Sequence, residues 1–156
     1  MIKTHVLGLP RIGVNRELKK GIEAYWRGTI NLNELEAVAK KIKQYNWNLQ
    51  KKAGLDFVTV GDFSYYDHIL DMSALLGVIP QRFGVATTNI DINTYFCMAR
   101  GQAPQSKETT ACEMTKWFNT NYHYIVPEFT RDQKFKISSD KLFKEIDEAL
   151  NIAQEV

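Results

Sequence analysis

The chain has 156 residues, 44% hydrophobic and 24% charged, a balance that excludes disorder and supplies material for a sizeable core in one globular domain. Its 20 basic and 18 acidic side chains are scattered from end to end, so no basic field exists to draw nucleic acid or an anionic membrane. No apolar run approaches the roughly 20 residues needed to cross a bilayer. Cys97 and Cys112 form no CxxC pair, so neither a disulfide framework nor a zinc knuckle is indicated and a reducing cytoplasm fits best.

In chain order, Thr4–Gly8 reads as a short strand, followed by a turn through Pro10 and Gly13 into a helix starting near Asn15. Leu18, Ile22, Tyr25 and Trp26 recur on one side of that helix, Arg16, Lys19 and Lys20 on the other, and Gly28 stops it. Asn31 with Glu34 predicts a capped second helix whose buried stripe is Leu35, Val38, Ile42, Tyr45 and Leu49, closed by Gly54. Asp56–Val60 is rich in β-branched and aromatic residues and reads as a strand, and the strand, helix, strand order predicts parallel pairing. A helix over about Tyr66–Leu76, a punctuated stretch through Pro80 and Gly84, and a short helix after Asp91 follow.

Residues 101–112 are polar, small and interrupted by Gly and Pro, the best loop of the chain. Residues 115–124 then crowd Lys116, Trp117, Phe118, Asn119, Asn121, Tyr122 and His123 together, a mixture that suits a ligand cleft or, equally, an aromatic strand and corner. Ser138 or Ser139 caps a final helix with Leu142, Ile146, Ala149, Leu150 and Ala153 inward. That helix runs to Val156 with no stop signal, so the chain reads as the front piece of something larger, with open strand edges that favour self-association.

Three stretches carry a family resemblance. Gly8-Leu9-Pro10-Arg11-Ile12-Gly13 with Arg16-Glu17-Leu18-Lys19-Lys20, then Val60-Gly61-Asp62-Phe63 with Tyr66-Asp67-His68, and Glu113 through Phe129 closely resemble cobalamin-independent methionine synthase, across essentially the whole chain. The resemblance implies an α/β fold: residues 1–156 as the first half of the N-terminal (β/α)8 TIM-like barrel of a two-barrel enzyme, without its catalytic C-terminal barrel. It further implies methyl transfer from 5-methyltetrahydropteroyltriglutamate to homocysteine, giving methionine. A zinc ion binds the homocysteine thiolate and keeps it ionised, through ligands outside this segment. In keeping with that, His5, His68, His123, Cys97 and Cys112 show no His-x-Cys or HExxH spacing, and no metal or catalytic residue is assigned here.

What the resemblance assigns to this segment is binding of the folate polyglutamate, through Arg16, Glu17, Leu18, Lys19 and Lys116. A helix N-terminus with unpaired amides beside Arg16 and Lys19 suits a string of carboxylates, Arg16 bidentately and Lys19 as a point charge. By pattern alone the same charges read as a solvated helix face. Asp62, Asp67 and His68 follow a predicted strand, where barrel enzymes place working residues, yet an Asp67–His68 acid/base pair is disfavoured because adjacent helical side chains diverge. The partners implied are the methylated folate and the missing barrel, with no nucleic acid and no membrane. A second reading is a free-standing folate-binding or protein-interaction module without activity.

Overall fold

Five α-helices, one 3-10 turn (Gln81–Phe83) and one two-stranded sheet make up the regular structure of the computed structural model, which describes residues 2–84 and 89–153. The helices are α1 (Glu17–Trp26), α2 (Leu32–Lys52), α3 (His68–Leu75), α4 (Ile92–Arg100) and α5 (Lys141–Leu150); the strands are β1 (Met114–Lys116) and β2 (His123–Ile125). They fall into two compact units, Met1–Tyr65 with Leu142–Val156, and Tyr66–Lys141. The last helix stops at Leu150 and residues 151–152 form a turn, short of the expected run to Val156; residues 154–156 lie outside the described residues.

In the first unit α1 buries Leu18, Ile22 and Tyr25, as its periodicity predicts, and α2 starts at a complete capping box. The Asn31 side chain accepts from Glu34 N–H (3.1 Å) while Glu34 accepts from Asn31 N–H (2.8 Å), a cap worth about 1 kcal/mol. The buried stripe of α2 departs from expectation. Leu35, Ala39, Ile42, Trp47 and Gln50 are buried, whereas Tyr45 (54% exposed) and Leu49 (45%) face out. The reason is the second half of the unit: Trp47 packs with Val58, Ala149 and Ala153, so the far end of the chain pulls the inner face of α2 round to Trp47.

Thr4–Gly8 and Asp56–Val60 do not form the expected parallel ladder. They still run side by side in parallel, Thr4 beside Asp56, Val6 beside Thr59 and Leu9 beside Asp62; the Thr4 carbonyl accepts from Asp56 N–H (3.1 Å) and Phe57 N–H (3.2 Å), and beyond that point side chains supply the bonds. The Asp56 carboxylate accepts from Thr4 N–H (2.7 Å) and Oγ1 (2.9 Å), that of Asp62 from Leu9 N–H (2.8 Å), and Thr59 Oγ1 donates to the Val6 carbonyl. On the other side Gln50 Oε1 takes Thr59 N–H (2.9 Å) and Glu145 Oε1 takes Gly61 N–H (2.8 Å), so donors that a neighbouring strand would use are spent on α2 and α5. Glu145 thereby holds a fully buried position on α5, and Leu150, expected inside, is exposed.

In the second unit α3 and α4 begin at Asp67 and Asp91, each capping its helix through a carboxylate. Its buried apolar residues include Leu70, Ala74, Val78, Tyr95, Phe96, Met98, Cys112 and Ile125. Residues 101–112 contain no helix or strand, as composition predicts. Of the two serines expected to cap α5, Ser139 does so, its Oγ accepting from Lys141 N–H (3.3 Å); Ser138 is fully buried and gives its N–H to the Leu75 carbonyl (2.9 Å). β1 and β2 pair antiparallel, with Met114 opposite Ile125, Thr115 opposite Tyr124 and Lys116 opposite His123. The fold is therefore mixed α/β, and its one sheet among the described residues is an antiparallel hairpin.

Candidate functional site

In the first unit the loop from Gly8 to Asn15 delivers Arg16 to the start of α1 in a left-handed conformation (φ 61°), costly for a residue with a Cβ. The turn before it favours glycine at Gly13, which has φ 82° and where a Cβ would displace the Glu17 carboxylate. Glu17 turns back on this loop, accepting from Asn15 N–H (2.9 Å) and Nδ2 (3.3 Å). Its own backbone N–H, then Asn15, hold its carboxyl below the ordinary carboxylate range, so it stays ionised. Leu18 is 0% exposed, and its N–H donates to the Ile12 carbonyl (3.1 Å).

These contacts narrow one expectation. Two of the first amides of α1 are engaged, that of Glu17 by its own carboxyl and that of Leu18 by the Ile12 carbonyl, and the Leu18 side chain belongs to the core. What remains available is charge. Arg16 is exposed and has no ion-pair partner among the described residues, and Lys19 makes only an exposed pair with Glu23 at 3.6 Å, one helical turn on.

In the second unit residues 115–124 form the exposed end of the β1–β2 hairpin. Phe118 is 83% exposed and left-handed (φ 49°), and Trp117 makes edge-on contacts with Phe118 (5.2 Å) and Tyr124 (5.7 Å). The turn is closed by local bonds, Thr120 Oγ1 to the Trp117 carbonyl (2.6 Å) and Tyr122 N–H to Thr120 Oγ1 (3.2 Å), with His123 Nδ1 3.0 Å from the Asn121 carbonyl. Lys116 lies at the end of β1 with its side chain exposed. The polar groups thus tie the turn together, and Lys116 is the exposed cation beside the aromatic tip.

Asp67 and His68 do not form an acid/base pair. Asp67, 1% exposed, accepts from Leu70 N–H (2.8 Å) and Ile125 N–H (3.1 Å), and His68 gives its backbone N–H to Tyr122 Oη (3.3 Å). Asp62 belongs to the first unit, tied to Leu9. A feature the sequence reading missed is Arg82. Its guanidinium grips both Glu128 oxygens (2.5 Å each), gives Nε to the Thr110 carbonyl (2.8 Å) and lies 3.5 Å from Cys112 Sγ, closing the base of the hairpin. Burial and then the Glu128 charge push the Cys112 thiol up to about 12, so it stays protonated at neutral pH and is no thiolate ligand. Among the described residues no three His, Cys, Asp or Glu side chains gather as a metal site, and no helix is long and apolar enough to cross a membrane.

Residues 3–156 match the model of the cobalamin-independent synthase N-terminal domain. The chain belongs to that family. Similarity to individual members is high: 57% identity over 144 residues with the 5-methyltetrahydropteroyltriglutamate–homocysteine methyltransferase of Coxiella burnetii (strain Dugway 5J108-111), covering 92% of this chain and 18% of the relative. The proteins of that name from Nitrosomonas europaea and Syntrophotalea carbinolica are 58% and 54% identical over 146 residues, covering 94% of this chain and 19% of each. The synthase segment thus spans less than a fifth of the curated relatives it matches.

Proposed function

We propose that the protein carrying this synthase segment transfers a methyl group from 5-methyltetrahydropteroyltriglutamate to homocysteine, forming methionine, and that the segment binds the polyglutamate of the donor. The names of its relatives support the reaction; the observation that carries the binding role is Arg16, a cation without an ion-pair partner among the described residues, held in a strained backbone conformation. Backbone strain of this kind persists where surrounding structure enforces it and is concentrated at functional positions. Arg16 pairs bidentately with a tail carboxylate, and Lys19 exchanges its weak contact with Glu23 for another. Glu17 closes the loop that sets Arg16, and Leu18 anchors it in the core. In its own unit Lys116 offers the same positive charge.

In this reading the segment is the first part of a (β/α)8 barrel, supported by the parallel course of residues 4–9 beside 56–62 with helices between. The zinc and homocysteine sites lie on other sequence, where zinc supplies thiolate activation, and the segment alone is inactive. The test is the kinetics of Arg16→Ala, Lys19→Ala and Lys116→Ala in the complete protein. Each raises KM for the triglutamyl donor, by about tenfold for Arg16→Ala, and leaves kcat and the monoglutamyl KM nearly unchanged. A fall in kcat alone, or equal effects on both donors, contradicts the role.

A further inference from the structure

The β1–β2 hairpin has an inner and an outer set of backbone donors. Trp117 N–H donates to the Tyr122 carbonyl (2.8 Å) and Val126 N–H to the Glu113 carbonyl (2.8 Å), so residues 122, 124 and 126 face β1. The N–H groups of His123 and Ile125 therefore point to the free edge of β2. Ile125 N–H is buried there, and the carboxylate of Asp67 takes it at 3.1 Å. With its other oxygen the same carboxylate caps α3 through Leu70 N–H (2.8 Å). One buried side chain thus joins a helix terminus to a strand edge.

Alternation along the strands puts Ile125 and Met114 on the same face as His123 and Lys116, two residues nearer the turn. On that face Ile125 is buried, Met114 opposite it is half-exposed, and Lys116 is exposed, about 7 Å further out. We infer that Asp67 is the positioning residue of this hairpin, holding β2 against α3 so that Lys116 is presented to an acidic ligand at a set height. The inference rests on the tail-binding role proposed for Lys116. Arg82 and Glu128 close the hairpin at its base, Tyr122 Oη meets His68 N–H, and Asp67 adds the bond to the free edge of β2.

The test uses Asp67→Ser and Lys116→Ala in the complete protein. Serine still caps α3 but is too short to reach Ile125. Asp67→Ser accelerates hydrogen exchange of the Ile125 amide about tenfold or more while α3 amides stay protected. It also raises KM for the triglutamyl donor relative to the monoglutamyl donor, in the direction of Lys116→Ala, with kcat for the monoglutamyl donor retained. Asp67→Glu recovers part of both effects. Unchanged Ile125 exchange, or equal losses with both donors, overturns the inference. If Lys116→Ala selects against the triglutamyl donor and Asp67→Ser does not, positioning alone is wrong; if Lys116→Ala itself shows no selectivity, the tail-binding role falls and this inference with it.

Discussion

Arg16 adopts a conformation that glycine takes without cost and that disfavours any residue with a Cβ by about 1–2 kcal/mol. Arg16→Gly should therefore stabilise the protein by about 1 kcal/mol, read as a higher denaturation midpoint, while weakening the triglutamyl donor as Arg16→Ala does. A loss of stability on Arg16→Gly would show that the arginine is there for folding. No periodicity reveals such a residue: the charge of Arg16 was visible in the sequence, but its φ depends on Gly13 and on Glu17 folding back over the loop. Leu18, one position beyond Glu17, is a core residue by its place in the stripe, and that much was legible.

At the scale of elements, local chemistry predicted helices well because caps are local. Asn31 with Glu34, Asp91 before α4 and Gly28 after α1 act within one turn of chain, where sequence neighbours are spatial neighbours. The two aspartate caps nevertheless differ electrostatically. For Asp67, burial chiefly, aided by the Asp71 charge, raises the carboxyl above its ordinary 3.8; for Asp91, burial acts upward too, but the bonds from Thr94 and Asn93 outweigh it and the net shift is downward. The signs follow. The Asp91 cap is present above pH 3.8 and is lost as pH falls through its lower folded value, whereas Asp67 gains its proton above 3.8 and its contribution to stability declines as pH rises through that window. On acidification the amide resonances of Leu70 and Ile125 should move first, at pH above 3.8, and that of Thr94 only below 3.8; the reverse order would refute the assignment. Strands were less legible than helices. Thr4–Gly8 and Asp56–Val60 have strand composition, but Asp56, Asp62, Gln50 and Glu145 intercept their donors, and which side chain reaches a strand edge is a tertiary fact.

At the scale of the whole molecule, the first unit depends on contacts between residues about a hundred positions apart. Trp47 packs with Ala149 and Ala153, and Lys43 Nζ meets Glu148 at 2.8 Å. Trp47→Ala should cost about 3–5 kcal/mol in urea unfolding, whereas Tyr45→Ala, on the face that helical spacing had marked as inner, should stay within about 0.5 kcal/mol. Equal losses would restore the simple stripe. The sequence by itself determined the family, the helices and their caps, because these depend on residue chemistry and on spacing within a few turns. Only the tertiary structure decided that Trp47 is on the inner face of α2, that side chains take most of the donors of the two strand-like segments, that the Leu18 amide is taken by Ile12 and that Asp67 joins α3 to the hairpin. Each of those turns on which distant group reaches a buried donor first, and spacing along the chain does not encode that.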